Sequence, residues 1–151
     1  MICESNLDTK NQSKILNKIS NLLRGGKLEA FNHESILLKN RAGILNYENK
    51  NYFKAGDYLY KSLSILIISN TNCISKVDLL KSADRLIFSA GVVKKENEKD
   101  YRINLWKSVA YHIKNDKLTS AKYFKEHLKV SPKYFEKEFT KYFFYNIFSK
   151  V

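Results

Sequence analysis

His33, His112 and His127 are the chain's best metal-ligating side chains, and their spacing gives no ligand set. Zinc sites usually gather ligands as His-Glu-x-x-His or Cys-x-x-Cys pairs on one local element. Neither pattern occurs here. His112 and His127 flank one turn and are expected as exposed helix residues. The two cysteines, Cys3 and Cys73, are too few for a disulfide framework. They are expected as reduced thiols of a cytoplasmic protein; lipidation of Cys3 after a removed signal is the alternative. Acidic residues stand mostly singly among lysines, as in Glu96-Asn97-Glu98-Lys99-Asp100. That suits a solvated surface better than a carboxylate pair for general acid–base work. Gly25-Gly26 lacks the surrounding pattern of a phosphate-cradling loop. With no nucleophile constellation either, the expectation is a protein that is not an enzyme and uses no cofactor or metal.

The net charge of +12 suggests a polyanion partner such as nucleic acid. Its make-up weakens that suggestion. Lysines number 23 and arginines only 4, and arginine is the residue suited to bidentate phosphate and base contacts. Asn at 15 and Ile at 13 are also abundant, which points to AT-rich codon usage as a source of the lysines. Nucleic acid is therefore the alternative partner, with exposed tyrosines for stacking.

The 151 residues fit one domain, read as a polar N-terminus over 1–10 and a helical domain over 11–151. The start, Met1 to Asn6, has neither a basic region nor an apolar run, so no signal peptide is expected. The longest apolar run, Leu63–Ile68 with Ser64 inside it, is far short of the ~18 residues of a membrane span. Only 5 Gly and 1 Pro argue against a turn-rich all-β fold.

Apolar spacing of i, i+4, i+7 predicts about seven helices joined by short turns, hence antiparallel neighbours. The first runs from Asn11 to the stop at Gly25-Gly26. The second covers about Leu28–Tyr47, with Ile36, Leu37, Leu38, Ala42 and Leu45 as its buried stripe. The third starts near Tyr52 and ends near Ser69, using Ala55, Leu59, Leu63 and Leu66. Ser75 should cap the fourth with Asp78 three residues on, its stripe being Val77, Leu80, Ala83, Ile87 and Ala90, and Gly91 its end. The fifth covers about Asp100–Lys114 and buries Ile103, Trp106, Ala110 and Ile113. The sixth, Lys117–Val130, carries Leu118, Ala121, Phe124 and Leu128. Ser131-Pro132 opens the seventh.

Helices two and three resemble a tetratricopeptide repeat, a helix–turn–helix unit of about 34 residues. The resemblance is carried by Gly43 on the first helix, by Asn51-Tyr52-Phe53-Lys54-Ala55 after the turn, and by Leu59, Ser62 and Leu63. Trp106, Val109, Ala110, Leu118, Ala121 and Pro132 repeat the pattern, with Ala121 lying 66 residues after Ala55. The departures are a displaced aromatic on the first helix, where Leu45 and Tyr47 straddle its place, an early Pro132 and a poor middle repeat. The resemblance implies an all-α hairpin array whose first helices line a concave surface for a peptide or protein segment. Family members that grip a C-terminal carboxylate carry a Lys and an Asn one turn apart; Asn40 and Ile44 stand there, so that specific activity is not implied. The candidate partner-binding residues are Asn40, Ile44 and Tyr47 from one hairpin and Trp106 and Tyr111 from the later one.

The C-terminal segment is the unusual one. Eight of the fifteen residues from Tyr134 to Phe148 are aromatic. Phe135, Phe139, Tyr142 and Phe143 share one face and read as the closing surface of the array. Phe144, Tyr145 and Phe148 lie on other sides and are candidates for contact with a partner or a second copy of the chain, with a membrane surface as the alternative.

Overall fold

The computed structural model describes residues 32–100 and 102–130. These form five helices and no strand: α1 (Asn32–Glu48), α2 (Tyr52–Ser69), α3 (Lys76–Glu96), α4 (Arg102–Ile113) and α5 (Lys117–Val130). The expected helices over 11–23 and 131–148 lie outside the described residues, as do Phe144, Tyr145 and Phe148.

Three of the four connections follow one plan. In each, the helix ends on a residue with positive φ: Lys50 at 60°, Asn70 at 52° and Asn115 at 63°. The flanking amides bond back into the last turn: Lys50 N–H to Tyr47 O and Asn51 N–H to Asn46 O, at 3.0 and 2.8 Å. Asn70 and Thr71 do the same to Ile67 and Leu66, and Asn115 and Asp116 to His112 and Tyr111. These paired bonds satisfy carbonyls that the helix end would leave orphaned. Asparagine tolerates the left-handed region better than other non-glycine residues, which is why the Asn-rich stretches work as turns. They fold the chain into antiparallel neighbours. In the α1–α2 pair Tyr47 meets Tyr52 beside the turn, and Ser62 reaches Ile36 O at the far end.

Each helix packs mainly on its sequence neighbours, and α2 also touches α4 while α1 touches α3. The main apolar core lies among α2, α3 and α4, with Leu59, Leu63, Leu86, Val93, Trp106 and Val109 at its centre. A smaller cluster of Ile36, Leu66 and Ile74 closes the opposite end of the first hairpin. Two glycines set the approach distances. A Cβ on Gly43 would lie 2.6 Å from Leu59 Cγ, and one on Gly56 would overlap the Trp106 ring at Cζ3.

Several expected helix faces are corrected. The fourth helix does not stop at Gly91: α3 continues to Glu96 and is capped by Asn97, whose N–H bonds Val93 O. Burying Val93 against the core offsets the roughly 1 kcal/mol that glycine costs inside a helix. Val77 and Leu118, expected inside, are 63% and 80% exposed, and Leu128 is also exposed. On α5 the seam with α4 is fixed by Ser108 and Ser120, whose hydroxyls each donate to the other's carbonyl, at 2.9 and 2.7 Å. Leu118 sits two residues before Ser120, about 200° around the helix, and so turns away from that seam. His127, expected as exposed, is buried, and its ring lies 6.2 Å from that of Phe124. The Ser75 cap forms as expected, with Asp78 N–H donating to Ser75 Oγ at 3.3 Å.

Candidate functional site

Helix α1 buries a mixed face, in which Ile36 and Ala42 of the expected stripe lie beside polar residues. The residues it buries include Ser35, Lys39, Asn40 and Asn46 beside Ile36 and Ala42, while Leu37 from the expected apolar stripe is 40% exposed. The cause lies in what α1 packs against. Gly43 must face Leu59 for the helices to approach, and Ile36 O must accept from Ser62 Oγ at 2.7 Å. Those contacts fix the helix rotation, and polar neighbours on the same side are carried in. They are satisfied locally: Lys39 Nζ donates to Ser35 Oγ at 3.1 Å, and Asn46 Nδ2 to Ala42 O at 2.8 Å. The same rotation sends Leu37 and Ile44 toward α3.

There they form one wall of a groove of about 650 Å³. Helix α1 contributes Glu34, Leu37, Leu38, Asn40, Arg41, Ile44 and Glu48. The opposing wall is Asp78, Lys81 and Arg85 on α3, and the α2–α3 connection closes one end with Cys73, Ile74 and Ser75. Between the walls the Ser82 hydroxyl donates to Asn40 Oδ1 at 2.6 Å, which locks the Asn40 amide in one orientation. At the other end Tyr47, Tyr52 and Phe88 meet edge-on or tilted, with ring centroids 5.3–5.8 Å apart. The Arg85 guanidinium lies 5.9 Å from the Tyr47 ring centre. This aromatic knot ties α1, α2 and α3 together, yet Phe88 remains 52% exposed.

Of the residues expected to bind a partner, the structure brings Asn40 and Ile44 together in the groove and sets Tyr47 in the aromatic knot beside Arg85, one of the groove's lining residues. Trp106 goes elsewhere. It is fully buried against Gly56, so it fills the core and offers no binding surface. Tyr111 also lies apart, on α4, stacked on Tyr123 of α5 at 5.6 Å and 11°. Sequence reasoning missed Leu37, Ile74, Lys81 and Arg85. The signal that could have found Leu37 is Gly43: taking the glycine as the centre of the contact face puts Leu37 outside it.

Among the described residues no group of three or more His, Cys, Asp or Glu could hold a metal, and no helix is long and apolar enough to cross a membrane. No family model, curated protein or solved structure matches the chain.

Proposed function

We propose that this chain is a non-catalytic protein-interaction module, an adaptor or assembly subunit built as a tetratricopeptide-like hairpin array. Support for the array comes from the shared turn plan, the small-residue contacts at Gly43 and Gly56, and packing between helices two apart in order. The observation that carries the function is the mixed packing of α1. A helix that buries serine and asparagine while presenting leucine and isoleucine in an open groove has a surface suited to another chain. Cys73, a half-buried free thiol, suits a reducing compartment, and we place the protein in the cytoplasm.

The test replaces Leu37 and Ile44 by glutamate, singly. Both side chains are partly exposed, so melting temperature should change little. Each variant should lose the protein that co-purifies with the wild-type chain from its source cell. Undiminished co-purification by both variants refutes the groove as the binding surface. The C-terminal candidates Phe144, Tyr145 and Phe148 are assigned to self-association; removing residues 133–151 should then lower the measured mass of the purified particle to that of a monomer.

One observation favours a second reading, a polyanion-binding surface. Lys107 Nζ lies 5.1 Å from the Tyr123 ring centre, beside the Tyr111–Tyr123 stack. Partial burial and the nearby Lys94 ammonium hold the Lys107 pKa below the ordinary lysine value. A phosphate would relieve that repulsion, and a base could stack on a tyrosine. Salt separates the readings: retention of single-stranded oligonucleotides that falls steeply with salt favours this surface, while a protein partner retained at moderate salt favours the groove.

A further inference from the structure

The groove's charges are ordered along its length. Helices α1 and α3 run parallel, since Asn40 pairs with Ser82 and Tyr47, seven residues on, packs on Phe88. Positions on the two walls can therefore be read at matching heights. At the end nearest the helix starts stand Glu34 and Asp78. In the middle stand Arg41, Lys81 and Arg85, flanking Asn40 and Ile44. At the far end stands Glu48. Among the described residues, Glu34, Glu48, Asp78 and Lys81 form no ion pairs with one another. These four exposed charges are thus not neutralised by one another, and with Arg85 they set an acidic–basic–acidic order along the groove.

We infer that the groove takes an extended peptide segment with an acidic residue at its centre and basic residues toward its ends. This rests on the reading of the groove as a protein-binding surface. Length follows from helix geometry. The wall from Glu34 to Glu48 spans fourteen residue steps of α1, or roughly 21 Å at ~1.5 Å per residue, which seats about six or seven extended residues at ~3.3 Å each. The step from the acidic end to the basic band, Glu34 to Arg41, is roughly 10 Å, about three extended residues. The recognised pattern is therefore basic, two spacers, acidic, two spacers, basic, with apolar spacers on Leu37 and Ile44. An extended backbone is preferred over a helix. Asn40 lines the groove with its Oδ1 already accepting from Ser82, so only its amide N–H groups could meet a ligand, and an extended segment has unpaired carbonyls to offer them.

Two labelled heptapeptides test this, with leucine and serine spacers. One carries lysine at both ends and glutamate at the centre; the other carries glutamate at both ends and lysine at the centre. Both patterns are symmetric, so chain direction does not enter. The protein's +12 charge would by itself favour the second peptide. The first should nevertheless bind ten-fold or more tightly, and should shift amide signals of residues 34–48 and 73–85 in the full chain. Arg85→Glu and Lys81→Glu should each erode that preference and together reverse it. Lys81 is exposed, so its variant keeps the test valid if Arg85→Glu, which also loses the Tyr47 contact, fails to fold. Equal binding of both peptides in the groove, or tighter binding of the second, overturns the charge-order inference and leaves the groove as a binding surface. If neither peptide moves those signals, the inference and the groove reading fall together.

Discussion

Helices α2 and α4 meet through a tryptophan lying on a glycine, Trp106 over Gly56, within a layer of leucine, valine and alanine. Helices α1 and α3 meet through a hydroxyl-to-amide hydrogen bond, Ser82 to Asn40, with an aromatic knot at one end and an open groove between. The first seam gains from apolar area removed from water, on the order of 1.5–3 kcal/mol for each large side chain fully buried. The second gains a net ~1 kcal/mol from its hydrogen bond and leaves apolar walls in contact with solvent. One seam holds the hairpins together. The other positions side chains for something else, and its weakness as packing is the reason it can serve as a site.

The largest effects are expected at the first seam. Trp106→Ala should cost roughly 3–5 kcal/mol, as expected for a large buried aromatic. Gly56→Ala should cost about 1–3 kcal/mol, because the new methyl would overlap three ring atoms of Trp106 that belong to a rigid plane. Chemical denaturation of the two variants measures both. A Gly56→Ala variant as stable as the parent would mean that α2 and α4 are not in this contact.

At the second seam the effects should be smaller and of both signs. Ser82→Ala removes the donor to Asn40 and should cost about 1 kcal/mol, and Ser62→Ala, which removes the bond to Ile36 O in the neighbouring α1–α2 pair, a similar amount. Ser89 supplies the contrast. Its buried hydroxyl has no hydrogen-bond partner among the described residues, so Ser89→Ala should stabilise by up to about 1 kcal/mol. For a chain of this size each kcal/mol moves the melting temperature by roughly 2–4 °C, within reach of calorimetry.

The two seams also differ in how far they could be read from the sequence. Helix α2 was legible to its ends, because Ala55, Leu59, Leu63 and Leu66 keep a strict helical period between asparagine-rich turns. Its partner Trp106 was read both as part of the buried stripe of α4 and as a partner-binding residue, and its full burial bears out the first and corrects the second. Helix α1 was not. Its apolar and polar residues are distributed all round, so periodicity had no face to choose, and Leu37 went to the wrong side. Tertiary contacts at Gly43 and Ser62 choose the face, and these depend on another helix. The groove was half legible: Asn40 and Ile44 came from the hairpin resemblance, but Lys81 and Arg85 look like ordinary surface charge until α3 is laid beside α1. The same blindness affected α5, where the small pair Ser108 and Ser120 outranked Leu118 in setting the rotation.

The turns allow a gentler test of the regularity behind both seams. Asn70 and Asn115 occupy the left-handed position in two connections, and Lys50 occupies it in the first. Lysine there bears a strain of about 1 kcal/mol that glycine escapes. Lys50→Gly should therefore raise stability by roughly 0.5–1 kcal/mol, and Lys50→Asn by less, with the groove's partner binding unchanged. A loss of stability on Lys50→Gly would show that the lysine side chain makes a contribution larger than the backbone strain.

The smallest effect belongs to the surface ion pair between α3 and α4. Lys114 Nζ lies 2.7 Å from Asp84 Oδ1, and both side chains are more than a third exposed. The hydrogen bond to Asp84 is the main cause that raises the Lys114 pKa above its ordinary value of 10.5. A raised lysine pKa means that the folded chain holds the proton more tightly than the unfolded chain. Its contribution is therefore fully present below pH 10.5 and is lost as pH rises through the folded-state value. Solvent screening keeps that contribution to a few tenths of a kcal/mol, about a degree in melting temperature. Lys114→Met should melt about a degree below the parent at pH 7, and the gap should close once pH exceeds the folded-state pKa. A gap that widened at high pH would mean that Lys114 acts through packing of its stem. The pair would then belong with the apolar seam beneath it.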